Sequence, residues 1–147
     1  MALFKFTKAI LNGEPIDVYN HGDMSRDFTY IDDLISGMRL LIDAIPGYSD
    51  NPELQADAED SKSNVAPFRV VNIGNSKPHQ LLDFIRAVEV SIGIEAVKNL
   101  MPMQAGDVPA TWADTTLLEM LTGYVPATDI ATGVQNFVDW YREYYNV

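Results

Sequence analysis

Thr29-Tyr30-Ile31-Asp32 has the form of a capping box, and behind it Ile31, Leu34, Ile35, Met38, Leu41, Ile42 and Ile45 recur at spacings of three and four. The pattern predicts an amphipathic helix that stops at Pro46. A helix with one apolar stripe has to lay it against other elements, so the rest of the chain must supply a second layer.

The flanking segments supply both kinds of element. Leu3, Phe4, Phe6, Ile10 and Leu11 predict a helix over residues 2–12 that stops at Gly13. Pro15-Ile16-Asp17-Val18-Tyr19 alternates apolar and polar residues and predicts a short strand, followed by a turn at Asn20-His21-Gly22-Asp23. Phe68 to Gly74 predicts another strand, and Ser76 is placed to cap a helix with Leu81, Leu82, Ile85, Val88 and Ile92 on one face. Asp114 suits the cap of a short helix ending at Gly123, and Thr128 the opening of a last helix with Ile130, Val134, Phe137, Val138, Tyr141 and Tyr145 on one side. Strands and helices alternate without internal repeat, which predicts an α/β fold in one domain over residues 1–147. Between them, about residues 47–67, Asp50, Glu53, Asp57, Glu59 and Asp60 stand among Ser, Asn and Pro, the composition of a mobile acidic loop.

Composition narrows the possible functions. There is no cysteine and only two histidines, His21 and His79, which excludes a disulfide framework and a thiolate zinc site. A formal charge of -11 argues against nucleic acid or an anionic membrane as partner, because either needs a net basic face. No apolar run approaches a membrane span of roughly 20 residues, and no export signal opens the chain; a cytoplasmic protein is expected.

A search for catalytic groups finds little. The sequence has no nucleophile elbow, no phosphate-cradling Gly-rich loop ending in Lys, no Gly-x-Gly-x-x-Gly turn and no His-Glu-x-x-His pair. Asp32 and Asp33 are neighbours on a helix and point about 100 degrees apart, so they cannot face one another as an acid-base pair. His21 lies in a turn, and His79 is expected in the first turn of a helix, both in solvated settings. Gly74-Asn75-Ser76 is either a simple strand-helix connection or a weak anion turn. Arg26, in a polar turn of a chain with only ten Lys and Arg, offers a fork of donors for phosphate, or else an ion pair with Asp27 or Asp23.

Arg26-Asp27-Phe28-Thr29-Tyr30-Ile31-Asp32-Asp33 resembles the segment that extended short-chain dehydrogenase/reductase enzymes acting on nucleotide sugars carry after their cofactor domain. Val71-Asn72-Ile73-Gly74-Asn75-Ser76 resembles that family's next strand and turn, Gln104 to Asp114 its substrate loop, and Gly133 to Tyr145 its closing helix. In order along the chain these segments most resemble bacterial UDP-glucuronate 4-epimerases. The resemblance implies a small mixed α/β substrate-binding domain without the family's N-terminal Rossmann domain. It also implies a UDP-sugar held in the cleft between the two in an intact, NAD-dependent enzyme.

Residue by residue, the resemblance implies that Arg26 holds the diphosphate and Asp107 accepts from the ribose hydroxyls. It implies that the strand Ile16, Asp17, Val18 and Tyr19 meets uracil through its backbone, with the Tyr19 ring as an aromatic face. Gln104 stands where related UDP-galactose 4-epimerases place a second arginine, and offers one neutral donor. The family's NAD turn and its Tyr-x-x-x-Lys pair are not in the sequence, so no catalytic residue, no cofactor site and no activity are expected of this chain by itself. Two alternatives stay open: a non-enzymatic nucleotide-binding or association module, and a portion of another nucleotide-sugar dehydratase or decarboxylase. The resemblance puts Ile31, Leu34, Ile35, Met38, Val71 and Ile73 near the domain junction, so an exposed apolar patch and a homodimer are expected.

Overall fold

The computed structural model describes residues 2–46, 61–63 and 65–147. The expected acidic loop falls mostly on residues 47–60 and 64, outside the described residues. In chain order the elements are α1 (Ala2–Leu11), β1 (Ile16–Val18), a 3-10 turn (Tyr19–Gly22), β2 (Ser25–Asp27), α2 (Ile31–Asp43), β3 (Pro78–Gln80), α3 (Leu81–Ile92), β4 (Lys98–Leu100), β5 (Ala110–Thr111), α4 (Thr116–Thr122) and α5 (Ile130–Tyr145). This is the mixed α/β class expected. Contacts divide the chain into two compact units, residues 1–28, 77–111 and 128–147 in the first and residues 29–76 and 112–127 in the second.

In the first unit, α1, α3 and α5 pack around β1. The core is Ile10, Ile16, Val18, Phe84, Ile85, Val88, Ile92, Ala96, Val134 and Val138, with Phe6 and Phe28 against it. β1 shows why its alternation matters: Ile16 and Val18 are buried and Asp17 is exposed, the pattern of a strand with one face on the core. The rings of Phe28 and Phe84 stack at 4.4 Å with 12° between their planes, which fastens the end of β2 to α3. Gly93 closes α3 at φ +79, and Arg142 of α5 donates to the Ile92 carbonyl at 2.8 Å, a cation on a carbonyl of the helix C-terminus.

Two small sheets organise this unit. β1 pairs parallel with β4, Ile16 opposite Lys98 and Val18 opposite Leu100. The order β3-β2-β5 forms the other, antiparallel between β2 and β3 and parallel between β2 and β5. β3, β4 and β5 were not legible in the sequence, and each is two or three residues long.

The second unit holds α2 and α4. Gly37 is buried there, and a Cβ on it would stand 3.2 Å from Ile73, so α2 needs a small residue at that point. The Tyr124 hydroxyl donates to Asp33 at 2.9 Å. Ile31, Ile35, Met38, Ile42 and Ile45 are all more than half exposed. Of the six residues expected in a bare patch, Ile31, Ile35 and Met38 are exposed, whereas Leu34, Val71 and Ile73 are half-buried.

Several local expectations are corrected. α2 begins at Ile31 with Tyr30 at the N-cap and no side-chain cap bond, so the Thr29 box does not form; Asp33 is engaged by Tyr124, and Asp32 and Asp33 complement the first turn as charges. Residues 68–74 form no strand. The Val70 N–H donates to the Ser61 hydroxyl at 2.9 Å, that hydroxyl donates to the Val70 carbonyl, and Asn72 Nδ2 donates to the Asp114 carbonyl at 3.2 Å. Side chains there take the place of a ladder partner. Ser76 does not cap α3: at φ +56 its hydroxyl bonds the Ala113 carbonyl and shares a hydrogen bond with Thr115, both at 2.8 Å, while Gln80 is the N-cap residue. The residues between Ser76 and α3 pair with β2 as β3, which delays the helix. α5 is capped by Asp129, not Thr128, its carboxylate accepting from the Thr132 N–H at 3.0 Å.

Candidate functional site

The segment 101–109 is fixed at both ends to strands of the first unit. At its start the Met101 N–H donates to the Val18 carbonyl at 2.9 Å and the His21 N–H to the Met101 carbonyl at 3.0 Å. At its end the Ser25 N–H donates to the Pro109 carbonyl at 2.8 Å, and the chain enters β5 beside β2. Between these points the Asp107 N–H closes a turn on the Gln104 carbonyl at 3.1 Å, with Gly106 at φ +84. A left-handed φ with no Cβ penalty is what glycine provides there.

Arg26 sits in β2, not in a polar turn as the sequence suggested. Its Nη1 donates to the Ser25 carbonyl at 2.9 Å and the Pro109 carbonyl at 3.2 Å, and its Nη2 meets Asp107 Oδ1 at 2.7 Å. The same Oδ1 accepts from the Val108 N–H at 2.9 Å, so these two contacts of the carboxylate fall on one oxygen. This ion pair reaches a partner that spacing along the chain did not point to, in place of the expected Asp27 or Asp23.

Ile16 and Val18 bury their side chains in the core, so these two positions of β1 can offer a ligand only backbone. The Ile16 N–H donates to Val97 and the Val18 carbonyl accepts from Met101, which turns both residues toward β4. In a parallel ladder the residue between them then directs its N–H and C=O to the opposite edge. That residue is Asp17, whose carboxylate accepts from Asn99 Nδ2 at 2.8 Å. Tyr19 follows, half-buried, at the start of the 3-10 turn in which Asn20 and His21 have φ of 49 and 52. The side chain of Gln104 is exposed.

Thus Ile16, Asp17, Val18, Tyr19, Arg26, Gln104 and Asp107 all belong to the first unit and all lie on elements joined to the segment 101–109. His79, expected in a helix, lies in β3 opposite Arg26, and Thr111 of β5 is beside Arg26 on the other side. Neither neighbour had a signal in the sequence, because both follow from pairing between distant strands. A surface groove along α3, lined by Asp83, Arg86, Glu89, Val90 and Lys98 among others, contains none of the seven.

Among the described residues no cluster of three or more His, Asp or Glu side chains is arranged to hold a metal ion. No helix among them is long and apolar enough to cross a membrane.

The profile of the "NAD dependent epimerase/dehydratase family" matches residues 1–51. A "Probable UDP-glucuronate 4-epimerase" of Rhizobium meliloti (strain 1021) is 48% identical over 145 residues, covering 99% of this chain and 42% of that protein. "UDP-glucuronate 4-epimerase 4" of Arabidopsis thaliana is 40% identical over 150 residues, covering 99% of this chain and 33% of that one. The solved structure of UDP-glucuronic acid 4-epimerase from Bacillus cereus in complex with UDP-glucuronic acid and NAD matches the fold with a TM-score of 0.76, at 26% identity, over 99% of this chain and 40% of that chain. The chain therefore spans less than half the length of these relatives. Over residues 1–51 the chain is similar to the NAD dependent epimerase/dehydratase family, and over nearly its whole length, by sequence and by fold, it is similar to part of the UDP-glucuronate 4-epimerases.

Proposed function

We propose that this chain is the UDP-sugar-binding, carboxyl-terminal portion of a UDP-glucuronate-type 4-epimerase, and that it holds the nucleotide end of the substrate. The observation that carries the reading is the Arg26–Asp107 contact at 2.7 Å, made by a segment fixed at one end to β1 and at the other to β2. An anchored guanidinium and an anchored carboxylate side by side suit a ligand that offers phosphate and vicinal hydroxyls together.

Arg26 then takes the diphosphate with the N–H groups left over from Ser25, Pro109 and Asp107. Asp107 accepts from the ribose hydroxyls through Oδ2, its Oδ1 being engaged. The outward N–H and C=O of Asp17 match the acceptor and donor of a uracil edge, Tyr19 offers its ring, and Gln104 adds a neutral donor. Ile16 and Val18 position the Asp17 backbone and touch no ligand with their side chains.

Among the described residues, the β3–α3 junction does not fit NAD. β3 passes into α3 through Gln80-Leu81, with no glycine to let a pyrophosphate approach the helix N-terminus, and the Leu81 N–H is taken by the Met24 carbonyl at 2.8 Å. We place the cofactor and the proton-transferring groups on the further polypeptide that the relatives carry, and derive no chemical step here.

Calorimetric titration of UDP into the purified chain tests the reading. Half a cleft and loops that order on binding give roughly millimolar affinity, about 4 kcal/mol. Saturable binding that Arg26→Ala removes supports it. No saturable binding at ten times that concentration overturns it.

A further inference from the structure

The register of the three-stranded sheet sets three polar side chains in a line. Arg26 in β2 pairs with His79 in β3 and with Thr111 in β5. Residues paired across a ladder project from the same face, with Cβ atoms about 5 Å apart in an antiparallel pair. The line runs imidazole, guanidinium, hydroxyl.

Within that line Arg26 leans to one side. Its Nη1 and Nη2 are drawn to Pro109 and Asp107, on the β5 side. The β3 side of the line is therefore left to His79, which is half-buried at the centre of its three-residue strand. In a chain of charge -11 with only ten Lys and Arg, an arginine and a histidine facing each other across two strands concentrate donors where acidic residues predominate. The charged residues close by in sequence are Lys77, two residues before His79, and Asp83, in the first turn of α3, while Asp107 is engaged by Arg26.

We propose that His79 is a second phosphate contact, acting beside Arg26 on the diphosphate of a nucleoside diphosphate ligand. The proposal rests on the reading of Arg26 given above. It goes beyond that reading in dividing the diphosphate between two strands. An imidazole can donate a hydrogen bond in either protonation state, so the contact does not depend on a full charge. Cross-strand neighbours at this spacing are close enough for one diphosphate to touch both. The Thr111 hydroxyl, at the other end of the line, can donate to the same group.

The test is titration of uridine, UMP and UDP into the full chain and into His79→Ala and His79→Lys, with the dispersion of amide NMR signals as the check on folding. His79→Ala is expected to weaken UDP about tenfold and to leave uridine unchanged, the loss of one charge-assisted contact. His79→Lys is expected to restore UDP binding. Equal UDP affinity in the chain and in His79→Ala overturns the proposal while leaving the Arg26 reading standing. An equal loss for uridine and UDP, or a Lys variant that does not recover, assigns His79 a structural role and also overturns it. If the unsubstituted chain does not bind UDP, the Arg26 reading fails and this proposal falls with it.

Discussion

Arg26 Nη2 and Asp107 Oδ1 lie 2.7 Å apart although 81 residues separate them in the chain. Their side chains are 26% and 36% exposed, so water screens the pair. Its contribution to stability is expected to be about 0.5–1 kcal/mol, read as a small drop in urea midpoint for Arg26→Ala or Asp107→Asn. Ligand binding should respond far more: UDP affinity is expected to fall about tenfold or more in Arg26→Ala, and Arg26→Lys should recover little, because a single ammonium does not reproduce the fork. A large loss of stability with unchanged binding would make the pair structural.

α2 presents Ile31, Ile35, Met38 and Ile42 to solvent at spacings of four, three and four, the repeat of a coiled-coil seam, and Ile45 just past its end is exposed as well. We expect a second copy of the chain to cover this face when nothing else does. Light scattering over a concentration series should show dimer growing in, and Ile35→Glu should return the chain to monomer. A monomer at millimolar concentration would contradict this.

Glu89 of α3 gives a pH dependence of defined sign. Burial pushes its carboxyl up, but the hydrogen bonds from Lys98 at 2.5 Å and the Ala96 N–H at 2.9 Å, with the charges of Lys98 and Arg86, hold it below the ordinary glutamate range. A carboxyl depressed in the folded state stabilises the fold above its unfolded value and loses that contribution as pH falls through the folded value. Glu89→Gln should therefore cost stability at neutral pH, and the gap in urea midpoint should close below pH of about 4, the range in which free glutamate protonates. A gap that stays constant to acid pH would contradict the assignment.

Gly22 and Gly13 separate backbone strain from crowding. Both have positive φ, +87 and +69, but a Cβ on Gly22 would stand 2.6 Å from Leu82 Cδ2, whereas Gly13 has open space. Alanine at Gly13 should cost about 1 kcal/mol from the left-handed backbone alone. At Gly22 the cost should be larger, and Leu82→Ala should relieve only the excess, because the strain of the left-handed backbone remains. Equal costs at the two glycines, read from denaturation midpoints, would show that Leu82 yields freely.

The legible parts of this fold are those fixed by local chemistry. The periodicity of Leu81 to Ile92 and the stop at Gly93 describe a helix that buries Ile85, Val88 and Ile92 as expected, although Leu82, expected on that face, is exposed and Phe84 is buried; β1 follows its alternation. What escaped the sequence depends on partners far along the chain. Phe68 to Ile73 has strand-forming residues but no ladder among the described residues, and Pro78-His79-Gln80 lacks a strand pattern yet pairs with β2. The candidate site divides in the same way. Arg26 and Asp107 were named from resemblance, but their mutual contact, and the place of His79 opposite Arg26, arise only when β2, β3 and the segment 101–109 meet.

The most direct test of the central reading is residue-resolved NMR titration of the chain with UDP. The expected result is saturable shifts at Asp17, Tyr19, Arg26 and Asp107 that follow one binding curve, because these residues lie on elements joined through the segment 101–109. Shifts that leave Arg26 and Asp107 unmoved, or that cluster in the groove lined by Arg86, Glu89 and Lys98, would contradict it.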